Sequence, residues 1–565
     1  MRPTARFPSR RARVVAALAA CATLAAGCSW LPGDDAPASD DAPVGDAAPS
    51  ATAWTRADAA DVRAGGTLRL AVAERPTTFN PLHADAAGTD VARLLGPTAG
   101  NAVRVTADGG WEVDPDYARE VEVVDEDPFT VRVRLNPDAV WQGGSPITAR
   151  DMDATWKALR GSDDAYEVAS SDGWDAIEDV RPDEDDPYVY EVELEDRRPD
   201  WPLFVYPRMP RNVASDPQLF NEGLADRPPP SNGPFVVTSV DEDTGTITQE
   251  RNPRWWGRTP RLESVVWRIA EPQVQAEAFD ADELDVATLD ADGIDAVDED
   301  RVQRATGSSW SHLTLNAGRG VLRDADVRRA VGLALDRDAI ARATSEPVGA
   351  PPLTADSLLV LPGQQGYEQV AEPWRRDLDE ARGLLEEAGY TVSDGEEPSA
   401  EKDGEPLTLT LPVIGDTPAL LQRAERIAAQ LREVGIVVEV REVAADDFTT
   451  DVLLPLDFDL LTFSWGPSLL GAESARDRFR PITSSSNLTG VSSPAGPWDD
   501  ARDADGEEAL TEALAALDAD LREQAVMVPL AVTPSVVAVR EGVVNVGATS
   551  FEQPDWTVVG FRADD

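Results

Sequence analysis

The sequence predicts an α/β protein of two lobes with a ligand cleft between them. Strand-like and helical stretches fall into two separated blocks, with a change of rhythm at His312. The chain then returns to strands at 526–539. At 565 residues it is long enough for two or three lobes, each with its own core. Crossings between lobes make hinges, and the space between lobes is where a ligand is expected.

Each element has a local reason. Order begins at Gly65-Gly66. Thr67 to Val72 alternates as a strand, and Arg75 to Pro81 is a proline-bounded loop. Val131 to Leu135 and Val189 to Leu194 alternate again. Between them Ala149 to Leu159 reads as a helix capped by Thr148. Residues 226–234 are a proline-rich break. Phe235 to Glu250 is a hairpin turning at Asp243-Thr244-Gly245, Val265 to Ile269 a strand and Gln273 to Phe279 a short helix. In the second block Leu313 to Asn316 is a strand. Asp326 to Ala343 carries Val327, Ala330, Val331, Ala334 and Leu335 at helical spacing. Leu378 to Ala388 is a helix stopped by Gly389. Strand 407–411, helix 418–434 and strand 436–440 follow, then a buried strand, Phe458 to Phe463. Residues 482–508 read as loop, Leu510 to Leu521 as helix and Val526 to Val539 as strands.

The N-terminus reads as an export signal. Arg2, Arg6, Arg10, Arg11 and Arg13 precede an apolar run, Val14 to Ala26, too short for a permanent membrane span. Thr23 to Cys28 resembles a lipobox, which implies cleavage before Cys28 and lipid on its thiol. Residues 28–64, rich in Ala, Asp, Pro and Ser, are expected to be a flexible tether. Cys21 and Cys28 are the only cysteines, so the mature body has no disulfide. The net charge is −53, and removing residues 1–27, with five arginines and no acid, takes it to −58. Nucleic acid is excluded as a partner, because phosphate binding needs a basic surface. The membrane is expected to be reached through the lipid anchor only.

Several chemistries are missing. His83 and His312 are the only histidines, and neither accompanies a nucleophile motif. No His- or Cys-rich metal site, phosphate-cradling glycine loop or closed calcium loop is present, so no cofactor or metal is expected.

Four stretches, taken in order and spacing, resemble the extracytoplasmic solute-binding proteins of peptide- and nickel-type ABC importers. They are Gly65 to Glu74 with Phe79 to Leu82; Val131 to Trp141 running into Ser145 to Asp151; Ser231 to Phe235 with Arg251 to Gly257; and His312 to Asn316 with Val327 to Ala330 and Ala334 to Arg337. The resemblance implies a type II two-lobed clamp with an extra domain inserted in the N-terminal lobe. Lobe I would be 65–100, 205–307 and 525–565, the insertion 101–204, and lobe II 308–524. It also implies a small solute (a peptide, sugar or glycolipid fragment), a permease with ATPase subunits, a monomeric receptor and no catalysis. Ligand contacts are expected from Glu74, Arg75, Pro76 and Thr77 after the first strand, and from Trp465, Gly466 and Ser468 after the Phe458 strand. Trp310 and His312 are expected near a crossing between lobes. Ser468 stands where peptide-binding members often carry an Asp for the peptide amine. An envelope role without transport is the alternative that the resemblance leaves open.

Overall fold

Val302–Leu315 and Met527–Val539, strands of 14 and 13 residues, run antiparallel through the middle of the molecule. The computed structural model describes residues 50–563 apart from 88, 372–373, 396, 416, 468, 470–472, 485 and 505. The leader, Cys28 and Ser468 therefore lie outside the described residues. The two long strands form the centre of a four-stranded sheet ordered Val286–Thr288, Met527–Val539, Val302–Leu315, Leu460–Trp465. Their register breaks between Ala305 and Ser309 and again between Trp310 and His312. Gly307 sits in the first break with φ 87°, and a Cβ there would lie 1.9 Å from the Thr533 carbonyl oxygen. Only glycine fits so close an approach of two backbones.

On one side lies a sheet ordered Thr67–Val72, Ser264–Ile269, Thr246–Arg251, Phe235–Asp241, the first pair parallel. Leu68, Leu70, Phe79, Phe235 and Trp267 fill its core. The buried Asp285 carboxylate locks this sheet to the C-terminal segment. It accepts from the Arg69 backbone N–H at 2.8 Å, from the Arg69 guanidinium and from Arg540 Nε at 3.0 Å. On the other side the parallel strands Thr408–Ile414 and Val437–Val443 are bridged by the helix Pro418–Arg432. Asp459 ties them to the central sheet by accepting from Thr410 N at 2.9 Å.

A third sheet, ordered Ala118–Glu126, Phe129–Leu135, Val189–Leu194, Ile177–Pro182, packs with the helix Ala149–Leu159 in a core running from Ala102 to Leu224. Alternation buries Val131, Val133 and Leu135 on one face of its second strand. The Asp151 carboxylate accepts from Thr148 N and Thr148 Oγ1, both at 2.9 Å, and so fixes the helix start.

Thr67–Val72, Ala149–Leu159 and Val189–Leu194 have the bounds that the sequence predicts. Four readings change. The helix expected over 326–343 is two helices, Ala325–Ala334 and Arg337–Ser345. Leu335 turns extended, and Asp336 caps the second helix by accepting from Ala339 N at 2.8 Å. Residues 50–64, expected within the tether, pack on the body. Trp54 and Val62 are buried, and Thr52 and Val62 bridge to Thr549 and Arg562. Two apolar residues and backbone pairing outweigh a polar composition there. The stretch 482–508 contains the helix Gly496–Asp503, anchored by buried Trp498, whose Nε1 donates to Ser493 Oγ at 2.7 Å. The strands expected over 526–539 are one continuous strand.

Candidate functional site

In the central sheet Trp310 pairs with Trp465 and His312 with Phe463. Side chains two apart share a face of a strand, so all four rings meet on one side. The His312 ring stacks on Trp465 at 5.7 Å and 17°, and meets Phe463 edge-on at 4.4 Å. Phe463 and Trp465 are 4.7 Å apart, Trp310 and His312 5.8 Å. Burial, reinforced by the charges of Arg423 and Arg478, pushes the His312 pKa well below its ordinary value, so the ring is neutral. Its Nδ1 meets Thr314 Oγ1 at 3.0 Å. His312 Nε2 and Trp465 Nε1 are buried with no hydrogen-bond partner among the described residues.

The Arg478 guanidinium lies 4.7 Å from the Trp465 ring and 5.9 Å from Trp310, a cation–π placement. It covers the indole expected to form a ligand wall, leaving Trp465 only 8% exposed. Burial lowers the Arg478 pKa to about 10, so it stays charged at neutral pH. Gly466, which follows Trp465, faces open space.

A second wall faces this group. Leu203, in the turn Trp201–Phe204, packs against the apolar cluster that contains Trp310 and Trp465. Arg198 holds that turn by donating to Asp200 at 2.6 Å and Asp172 at 3.1 Å. Burial pushes the Asp477 pKa up to about 6, and Asp172 and Asp175 from the facing wall add to the shift. The two walls also touch through Arg502 and Asp196, 3.2 Å apart, and through Gln365 N donating to Asp108 O at 2.8 Å.

The structure thus brings Trp310, His312, Trp465 and Gly466 together. The loop after the first strand is placed otherwise. Glu74, Arg75 and Thr77 are exposed and Pro76 is buried. Arg75 pairs with Glu242 at 2.7 Å, and Thr77 Oγ1 donates to Asp85 O at 3.1 Å. Among the described residues no hydrogen bond, ion pair or ring contact joins this loop to the aromatic group. Phe463, Arg478, Arg423 and Asp477 are the residues that sequence reasoning missed. Phe463 was legible, since it lies two before Trp465; the charged residues carry no spacing signal. The described residues contain no group of three or more potential metal ligands and no helix long and apolar enough to cross a membrane.

Residues 112–487 match the family model of the bacterial extracellular solute-binding proteins, family 5, middle region. The chain belongs to that family. This solute-binding protein is 30% identical over 525 residues to the oligopeptide-binding protein OppA of Mycobacterium tuberculosis, covering 89% of this chain and 86% of the relative. It is 28% identical over 365 residues to the probable monoacyl phosphatidylinositol tetramannoside-binding protein LpqW of the same species, covering 58% and 56%. Among solved structures, the periplasmic EDTA-binding protein EppA superposes with a TM-score of 0.78 at 24% identity, covering 92% of this chain and all of the other. The solute-binding protein therefore has the two-lobed α/β clamp fold, acts outside the cytoplasm and is a binding protein rather than an enzyme.

Proposed function

We propose that this protein is the lipid-anchored substrate-binding component of an ABC importer that takes up oligopeptides or a related solute. The 30% identity to an oligopeptide-binding protein along nearly the whole chain carries the reading. The lobes are assigned as 65–100 with 205–307 and 525–565, and 308–524, with the insertion 101–204 between them. Ligand sits between the walls near Trp465, Gly466 and Ser468, with Trp310 and His312 behind them and Glu74 to Thr77 at the opposite rim. Contacts from both walls stabilise the closed clamp, and a permease with its ATPase subunits reads that shape. The receptor works as a monomer, held to the membrane by lipid on Cys28.

A thermal-shift series with peptides of two to nine residues tests this, because a ligand that binds only the folded state raises its melting temperature. A rise with peptides supports the reading, and no rise with any of them removes peptides as substrate. The similarity to LpqW supports a second reading, an envelope role without transport, over a shorter part of the chain. A rise with a mannosylated phosphatidylinositol and none with peptides would favour it.

A further inference from the structure

The ladder between Val302–Leu315 and Met527–Val539 has no register partner from Thr306 to Ser308. Backbone donors there need other acceptors. Residues 50–51 supply the first: Thr306 N donates to Ser50 O at 3.1 Å. The second comes one step removed. Gly307 N donates to Ser550 Oγ at 2.9 Å, and Ser550 N in turn donates to Ala51 O at 2.7 Å. Residues 50–57 are also fixed on two sides. Ala51 packs against the apolar cluster that holds Trp310 and Trp465, and a Cβ on Gly363 would lie 3.2 Å from the Ala51 Cβ. From Thr52 on, the chain runs along 545–552. Ala53 N donates to Ala548 O at 2.9 Å, Asn545 N donates to Thr55 O at 2.8 Å, and the Asn545 side chain exchanges two hydrogen bonds of 2.9 Å with the Ala57 backbone. Thr52 and Arg56 both donate to Glu552 at 2.8 Å. Trp54 is buried in the middle. A Cβ on Gly547 would lie 3.2 Å from the Trp54 Cβ and 2.0 Å from Gln303 Oε1, so the indole, the C-terminal segment and the central strand meet at one point. Val543, Val546 and Val559 of that C-terminal segment belong to the core of the sheet containing Thr67–Val72.

Ordering a terminal segment costs about 1–2 kcal/mol of backbone entropy per residue. Trp54 and the paired backbone groups offset that cost, and they are concentrated where the central strand pair is interrupted. We propose that residues 50–57 are a strap that holds the interrupted stretch in its present bend and so favours the state in which the two walls touch. The walls are in contact in this structure, through Arg502 and Asp196 at 3.2 Å and through Gln365 N and Asp108 O at 2.8 Å. The bonds of the strap are made in that same state. Bending at 306–308 must break the bond from Thr306 to Ser50 or draw Gly307 away from Ser550. A strap that lets go therefore lowers the resistance to separation of the walls. In the sequence the strap follows directly on the stretch expected as a tether, so it stands between the anchor and the bend. The inference rests on the two-lobed clamp fold and not on which solute the clamp takes.

Two variants release the strap in the chain from Ser29 onward, which has no cysteine of its own. Trp54→Ala removes the buried ring, and Ala53→Pro removes the donor to Ala548 O. Hydrogen exchange followed by mass spectrometry reads the amides of 303–310. Electron–electron resonance between spin labels on Glu178→Cys and Glu425→Cys, both exposed positions, reads the distance between the third sheet and the helix Pro418–Arg432. In both variants Thr306 and Gly307 should exchange about tenfold faster or more, and a second, longer distance should appear that the parent lacks. Trp54→Phe should return both readings toward the parent. If Trp54→Ala does not fold, Ala53→Pro decides. Faster exchange with an unchanged distance distribution would overturn the proposal and leave residues 50–57 as packing only. Unchanged exchange at Thr306 and Gly307 would overturn it too, because the strap would then not hold the interruption. Failure of every peptide in the thermal-shift series would remove the peptide reading and leave the strap standing.

Discussion

Asp114 offers a sharp test of how the third core docks on the rest of the molecule. Its side chain is 11% exposed and lies 3.4 Å from Arg104, which also reaches Asp555 at 3.3 Å in the C-terminal segment. Burial raises the Asp114 pKa from 3.8 to about 6; Arg104 opposes the shift, while Asp116 and Asp555 add to it. The sign follows from proton binding. Between about pH 4 and 6 the folded chain holds a proton at Asp114 that the unfolded chain has lost. Stability from this group therefore falls as pH rises through that window, and the full penalty is present above it. About two pKa units at 1.36 kcal/mol each give about 3 kcal/mol. Asp114→Asn cannot ionise, keeps the shape and retains an oxygen to accept from Asp116 N, now 3.0 Å from Asp114. The variant should match the parent near pH 4 and exceed it by about 2–3 kcal/mol at pH 7.5. Urea unfolding followed by tryptophan fluorescence at pH 4.0, 5.0, 6.0 and 7.5 reads the difference, in which titrating groups not coupled to Asp114 cancel. A difference that is flat with pH would refute the reasoning. So would a variant less stable at pH 7.5, since attraction to Arg104 would then outweigh desolvation.

Asp285→Ala strands Arg69 and Arg540 and should cost about 3 kcal/mol, read as a lowered urea midpoint; a change below about 1 kcal/mol would mean that water replaces the carboxylate. Trp465→Ala removes a ring packed under Arg478 and between His312 and Phe463, so it should lower stability by about 3 kcal/mol and weaken solute binding at least tenfold. Unchanged affinity in the calorimeter would remove this ring from the site. Cys28→Ala should move the protein from the membrane fraction to the soluble fraction, and continued sedimentation with membranes would exclude the lipid anchor.

Elements whose burial alternates cleanly were legible to the residue. Val189–Leu194 buries one face against a core, so its pattern has period two, and Thr148 with Asp151 writes a helix start in four letters. The break at Leu335 was not legible, because Ala334, Leu335 and Ile340 are buried on either side of it and the apolar rhythm runs on. Trp54 was read as part of a tether because composition averages over a window, whereas one buried indole can decide where a segment lies. The site divides in the same way. Trp310, His312 and Trp465 could be named from motifs that mark the central strands. Arg423 and Arg478 lie far apart in the chain and on different elements. Their placement beside His312 is a property of the fold alone.

The strand that carries Trp310 and His312, Val302–Leu315, also connects the two sides of the molecule together with Met527–Val539. Val302–Leu315 pairs at one end with Leu460–Trp465 and continues past Gly307 toward the side of Val286–Thr288. The ladder is interrupted from Ala305 to Ser309, so bending there breaks fewer hydrogen bonds than bending anywhere else along the pair. Trp310 is the residue next after that interruption, and His312 follows the second. A ligand that changes how Trp310, His312 and Trp465 pack would therefore act beside this interruption rather than at a distance from it.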